Sequence, residues 1–256
     1  MNRNYSSADM STDSFSPEQV ATERGVFIMR VYGHLLGAIA LFTLIEVYLF
    51  RSGMAESITR ALLGVNWLLV LGGFMLAGWL ARGMASRAGG LGSQYAGLLL
   101  YVVAQAIIFT PMLFIADSYA GGGVIRSAAV VTLAGFVGLT AVVFYTRKDF
   151  SFLGAMLRWA GILALVTIAA AVIFGLELGT WFSVGMVGLA GAAILYDTSN
   201  IMRHWPNDRY VGAALELFSS VALMFWYVLR LFMGRRPDAG VGPPACAISE
   251  SVILGD

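Results

Sequence analysis

The sequence predicts an all-α, polytopic membrane protein with seven transmembrane helices, on three observations. The chain of 256 residues is 59% hydrophobic and only 12% charged, where a soluble domain carries about a quarter charged residues. Its mean hydropathy is +0.78. The apolar residues also come in repeated runs of about twenty, the length that crosses a bilayer core of about 30 Å. None of the runs shows the alternation of a membrane β-strand.

Taken in order, residues 1–24 form a polar, Ser/Thr-rich head without the short apolar core of a cleavable signal. Within it "SPEQ" at 16–19 reads as a helix start: Ser16 caps, Pro17 suits the first turn and Gln19 holds the reciprocal capping position. A disordered cytoplasmic tail and a short interfacial helix are therefore expected before the membrane domain at 25–235. The seven spans are expected near 26–50, 61–81, 95–116, 124–145, 153–174, 180–202 and 211–233. Short connections such as "RAGGLGSQ" and "ADSYAGGG" separate them, and Tyr95, Tyr119, Trp181, Trp205 and Tyr210 fit an interfacial belt. Thr110-Pro111 predicts a kink in the third span. Gly33 with Gly37, and Gly185 with Gly188 and Ala192, predict close helix contacts. The Gly/Pro-rich tail at 236–256 is expected to be flexible.

Orientation follows from the basic residues of the connections. Eight lie on one side (Arg3, Arg24, Arg82, Arg87, Arg147, Lys148, Arg203, Arg209) and five on the other (Arg51, Arg60, Arg126, Arg235, Arg236). The bias predicts a cytoplasmic amino terminus and an extracytoplasmic carboxyl terminus. Net charge is +1, so no basic surface argues for nucleic acid, and Cys246 as the single cysteine excludes an internal disulfide.

An ionisable group at bilayer depth costs several kcal/mol or more unless it is paired, hydrated or snorkelling. Arg158 and Arg230 sit near span ends, where snorkelling disposes of them, and Glu46 reads as interfacial. The remaining groups share a depth. At 1.5 Å per residue Asp197 lies about 8 Å inside the sixth span, while Glu216 in the seventh and Arg30 in the first lie about 9 Å inside. A tight turn, "RHWPNDRY", makes the last two spans neighbours, so Asp197 and Glu216 are expected to face one another. Arg30, or His34 one turn deeper, would supply the counter-charge if the first span packs nearby. Two carboxylates this close in low dielectric either share a proton or hold a bridging cation. A calcium ion would draw weakly on Asp197, Glu216, Ser220, Thr198, Asn200 and backbone carbonyls, being short of its usual six to eight oxygens. The same residues also suit a plain Asp–Arg tie that fixes helix packing and conducts nothing.

"FYTRKDFSFLGAML" (144–157), "AAILYDTSNIM" (192–202) and "LELFSSVALMF" (215–225) resemble the Bax inhibitor-1 family, closest to its bacterial, YccA-like branch. The resemblance implies a last helix packed centrally among the other six, in an inner (plasma) membrane protein. It implies that some relatives leak calcium in a pH-dependent way through a pair of aspartates on the sixth and seventh helices, with an arginine on the second helix pairing with the first of them. Asp197 matches the first aspartate, and Ser220 stands where the second would be. Arg82 is placed at the cytoplasmic end of the second span, outside the expected buried position. Glu216, one turn before Ser220 on the same helix face, is the expected replacement carboxylate. The resemblance equally implies a non-conducting modulator of the membrane AAA protease FtsH, gripped by the head at 1–15. An enzyme is not expected. The chain has two histidines and one cysteine, no H-E-x-x-H, and no phosphate loop after Gly121–Gly123. No cofactor is expected apart from Ca2+ as a bound or transported ion.

Overall fold

The computed structural model describes residues 17–86, 90–120 and 123–234. The head at 1–16 and the tail at 235–256 lie outside them. The described residues form eight α-helices: α1 (Pro17–Arg51), α2 (Met54–Leu63), α3 (Trp67–Ser86), α4 (Gly90–Ala120), α5 (Gly123–Thr146), α6 (Leu153–Phe174), α7 (Thr180–Arg203) and α8 (Tyr210–Gly234). Seven of them, all but α2, are long and apolar enough to span a membrane.

Helix α1 runs unbroken through 35 residues, about 52 Å at 1.5 Å per residue. The expected interfacial helix and first span are thus one rod that overshoots the bilayer core. The expected second span is divided. Gly64 closes α2 with its amide on the Arg60 carbonyl at 3.0 Å. Asn66 then restarts the chain, its Oδ1 accepting the Leu68 amide at 2.9 Å, as helix-capping side chains do. This break moves the second span to Trp67–Ala85 and carries Arg82 inside it. Pro111 lies within α4 without ending it.

Helix α8 is the centre of the bundle, packed against α1, α3, α4, α5 and α7. Its sequence allows this because small residues (Gly212, Ala213, Ala214, Ser220, Ala222) alternate with Leu215, Leu217 and Leu229, all buried. Helix α6 stays outside, against α7 and α3, and a cavity of about 1200 Å3 lined by α3, α4, α6, α7 and α8 stands between it and the centre.

Close helix approach is made by other glycines than expected. Gly33, Gly37, Gly185 and Gly188 are exposed and a Cβ on any of them would meet nothing within 4 Å. A Cβ on Gly97 would instead stand 2.6 Å from the Ala81 carbonyl, and one on Gly154 2.7 Å from the Tyr196 ring. Spacing alone marks a small stripe, and only packing shows which stripes face a neighbour.

Candidate functional site

The turn between α7 and α8 is built by local bonds: the His204 amide to the Asn200 carbonyl at 2.8 Å, and the Arg209 amide to Pro206 at 3.1 Å. It sets the two helices side by side. Asp197 on α7 accepts a hydrogen bond from the Ser220 hydroxyl on α8, Oγ to Oδ2, at 2.5 Å. The two helices therefore neighbour one another as expected, but the group that meets Asp197 is Ser220 and not Glu216.

Glu216 takes another direction. Its two carboxylate oxygens accept from Arg82 Nε on α3 at 3.2 and 3.1 Å. Arg82 Nη2 donates to the Ser219 hydroxyl at 2.8 Å, and the Tyr101 hydroxyl on α4 lies 2.8 Å from the same oxygen. The guanidinium also stands over the Tyr101 ring, 5.4 Å from its centroid. The pair is half-buried, with side chains 43% and 33% exposed. Asp197 and Glu216 share no hydrogen bond, yet Asp197 lies in the electrostatic field of both Glu216 and Arg82. The result is a polar layer of two hydrogen-bonded groups, Asp197 with Ser220 and Arg82 with Glu216, Ser219 and Tyr101, brought together by the adjacent Ser219 and Ser220 of α8.

The counter-charge expected from α1 sits elsewhere. Arg30 lies over the Tyr210 ring at 5.4 Å. His34 has its ring nitrogens 2.6 Å from the Arg30 carbonyl and 2.8 Å from the Tyr95 hydroxyl. Helix α1 does pack on α8, but this face of it is turned toward Tyr95 of α4 and Tyr210, away from the acids. Arg82 takes the place because the break at Gly64–Asn66 shifts it about 6 Å inward from the end of α3, four residues from Ser86.

Two further arrangements brace the layer. Arg24 at the start of α1 donates to the carbonyls of Ile201 (2.6 Å), Met202 (3.1 Å) and Trp205 (2.5 Å), and to Asn207 Oδ1 (2.7 Å). A guanidinium there satisfies the free carbonyls at the end of α7 and suits the negative end of its dipole. The connection after α5 docks on α7 as well. The Phe150 amide donates to the Ser199 hydroxyl at 3.1 Å, and Arg203 Nη2 donates to the Arg147 carbonyl. The Ser151 amide on Asp149 Oδ1, at 2.9 Å, holds that exposed carboxyl below the usual aspartate range. The "TRKDFSFLG" block is therefore a strap across the end of α7, with Gly154 giving way to Tyr196.

Glu46, expected at the interface, is only 6% exposed. It faces the bundle because α1 is flanked there by α4 and its Thr110. Among the described residues no group of three or more His, Cys, Asp or Glu gathers that could hold a metal ion.

The family model described as inhibitor of apoptosis-promoting Bax1 matches residues 24–237. A BI1-like protein of Arabidopsis thaliana is 27% identical over 213 residues, 80% of this chain and 79% of that protein. An uncharacterised protein of Pseudomonas aeruginosa is 36% identical over 115 residues, 44% of this chain and 50% of that protein. The Escherichia coli protein named modulator of FtsH protease YccA is 33% identical over 111 residues, 43% of this chain and 50% of that protein. The alignment spans about half the length of these two bacterial relatives. The family match runs through all seven spans, and the chain belongs to the family of inhibitors of apoptosis-promoting Bax1, the Bax inhibitor-1 family.

Proposed function

We propose that the protein is a pH-sensitive cation leak, with calcium as the expected ion, held shut by the polar layer on α3, α7 and α8. One observation carries the reading: Arg82, which is tied to Glu216, lines a cavity of about 1200 Å3. The cavity extends from Arg82 and Ser219 to Glu177, Leu178 and Arg230 at the opposite end of the bundle. Loss of the tie frees Arg82 from Glu216 and loosens α3 from α8 beside the cavity, and that loosening is the opening step. Asp197, whose charge acts on the same layer, is the cation ligand on the α7 side. The basic residues of the connections support a cytoplasmic placement of this layer.

Proteoliposomes holding a calcium-sensitive dye test this. Acid-activated flux is expected from the unmodified chain, with Glu216→Gln open at every pH and Asp197→Asn reduced in flux. Absence of flux at all pH values, or identical profiles in both variants, defeats the reading. A second reading, a non-conducting modulator of a membrane AAA protease, is supported by the name of the Escherichia coli relative. It is tested by deleting residues 2–15 and following protein lifetime in cells; an unchanged lifetime counts against it.

A further inference from the structure

A second polar feature lies at the other end of the bundle from the Arg82 layer. Glu46 of α1 is buried at 6% exposure, and its Oε1 has no hydrogen-bond partner. Its Oε2 is reached only by the Thr110 hydroxyl at 3.4 Å, which also donates to the Ala106 carbonyl at 2.9 Å. A threonine has one proton to give, and the shorter bond takes it. Glu46 is thus a carboxyl group whose bonding is unmet inside the fold.

It lines a cavity of about 550 Å3 between α1, α4, α5 and α8, walled by the rings of Phe42, Phe50, Phe109 and Phe225. The Thr132 hydroxyl, buried and unpartnered, lies on the same lining. Two other ionisable groups line it, Arg51 and Asp117. Both are exposed at helix ends, opposite in sign, and among the described residues neither pairs with Glu46. The interior therefore carries one acid and several aromatic faces.

That combination selects its ligand. A divalent metal wants six or more oxygens, which the interior lacks. An anion would meet the carboxylate, and a purely apolar molecule would leave it unmet. An organic monocation satisfies both the acid and the rings, since aromatic faces attract cations strongly once water is removed. The volume falls in the range of small-molecule sites, about 300–1,000 Å3.

We propose that this cavity is a binding site for a lipophilic organic cation, such as a quaternary ammonium or phosphonium, with Glu46 as its counter-ion. The site is independent of the α7–α8 layer and of whether that layer conducts. Equilibrium dialysis of the purified full chain in detergent against tetraphenylphosphonium tests it, with tetraphenylborate as a probe of the same shape and opposite charge. Saturable binding of the phosphonium and none of the borate is expected. Glu46→Gln, which keeps the side-chain shape, is expected to weaken binding about thirtyfold or more, the loss for removing one partner of a buried charge pair. Ala129→Phe, which fills the cavity, is expected to abolish it. Equal binding of both probes, no phosphonium binding, or unchanged affinity in Glu46→Gln overturns the proposal. The two-probe comparison decides the charge argument on the unmodified chain.

Discussion

Replacing Arg82 by Gln removes the guanidinium that reaches Glu216 and Ser219 together. The magnitude follows from the geometry. Arg82 Nε sits almost equally from both carboxylate oxygens, at 3.2 and 3.1 Å, and Nη2 adds a third bond at 2.8 Å. A fully buried pair loses about 3–5 kcal/mol when one partner goes, and an exposed pair about 0.2–1 kcal/mol. With side chains 43% and 33% exposed, solvent screens part of the interaction, and about 2 kcal/mol is expected. If the tie holds the closed state, its loss shifts the closed-to-open ratio about thirtyfold, at 1.36 kcal/mol per decade. The assay is calcium flux from proteoliposomes for Arg82→Gln, Glu216→Gln and the double variant. A coupling energy of about 2 kcal/mol between the two sites is expected, so the double variant leaks no more than either single one. Additive effects, or flux within twofold of the unmodified chain in all three, would refute the reasoning.

Three other outcomes follow from the bracing contacts. Gly154→Ala places a methyl 2.7 Å from the Tyr196 ring, and overpacking of this kind costs about 1–3 kcal/mol; thermal unfolding in detergent should drop and recover in Gly154→Ala/Tyr196→Ala. Arg24→Ala strips donors from two carbonyls at the end of α7 and one in the turn that follows. Each charged hydrogen bond contributes about 1.5–3 kcal/mol, so amide exchange over 200–208 should accelerate markedly while α5 is unaffected. The third is a pH effect at Asp149, whose carboxyl the Ser151 amide holds below the usual aspartate range. A depressed carboxyl contributes stability above its unfolded value and loses it as pH falls through the folded one. Exchange of the Ser151 amide should therefore be protected at neutral pH and lose that protection only in acid, and Asp149→Ala should show no such step.

The hydropathy pattern by itself determined seven spans, because crossing lipid demands runs of about twenty apolar residues with every backbone group satisfied within the helix. It also made α7 and α8 neighbours, since a six-residue turn leaves them no choice but to pair, but it set Asp197 against Glu216 where the structure bonds Asp197 to Ser220. What it left open were directions around helix axes and starts of helices. Glu216 and Arg30 share a depth, yet their faces diverge and Arg82 takes the acid instead. That outcome hangs on a helix break at Gly64–Asn66 within an apolar run, a feature hydropathy smooths over. Glu46 read as interfacial because distance along a helix measures depth and says nothing about which neighbour covers the side chain. Only the packing of α4 and α8 against α1 decided that, and with it that Glu46 lines a cavity.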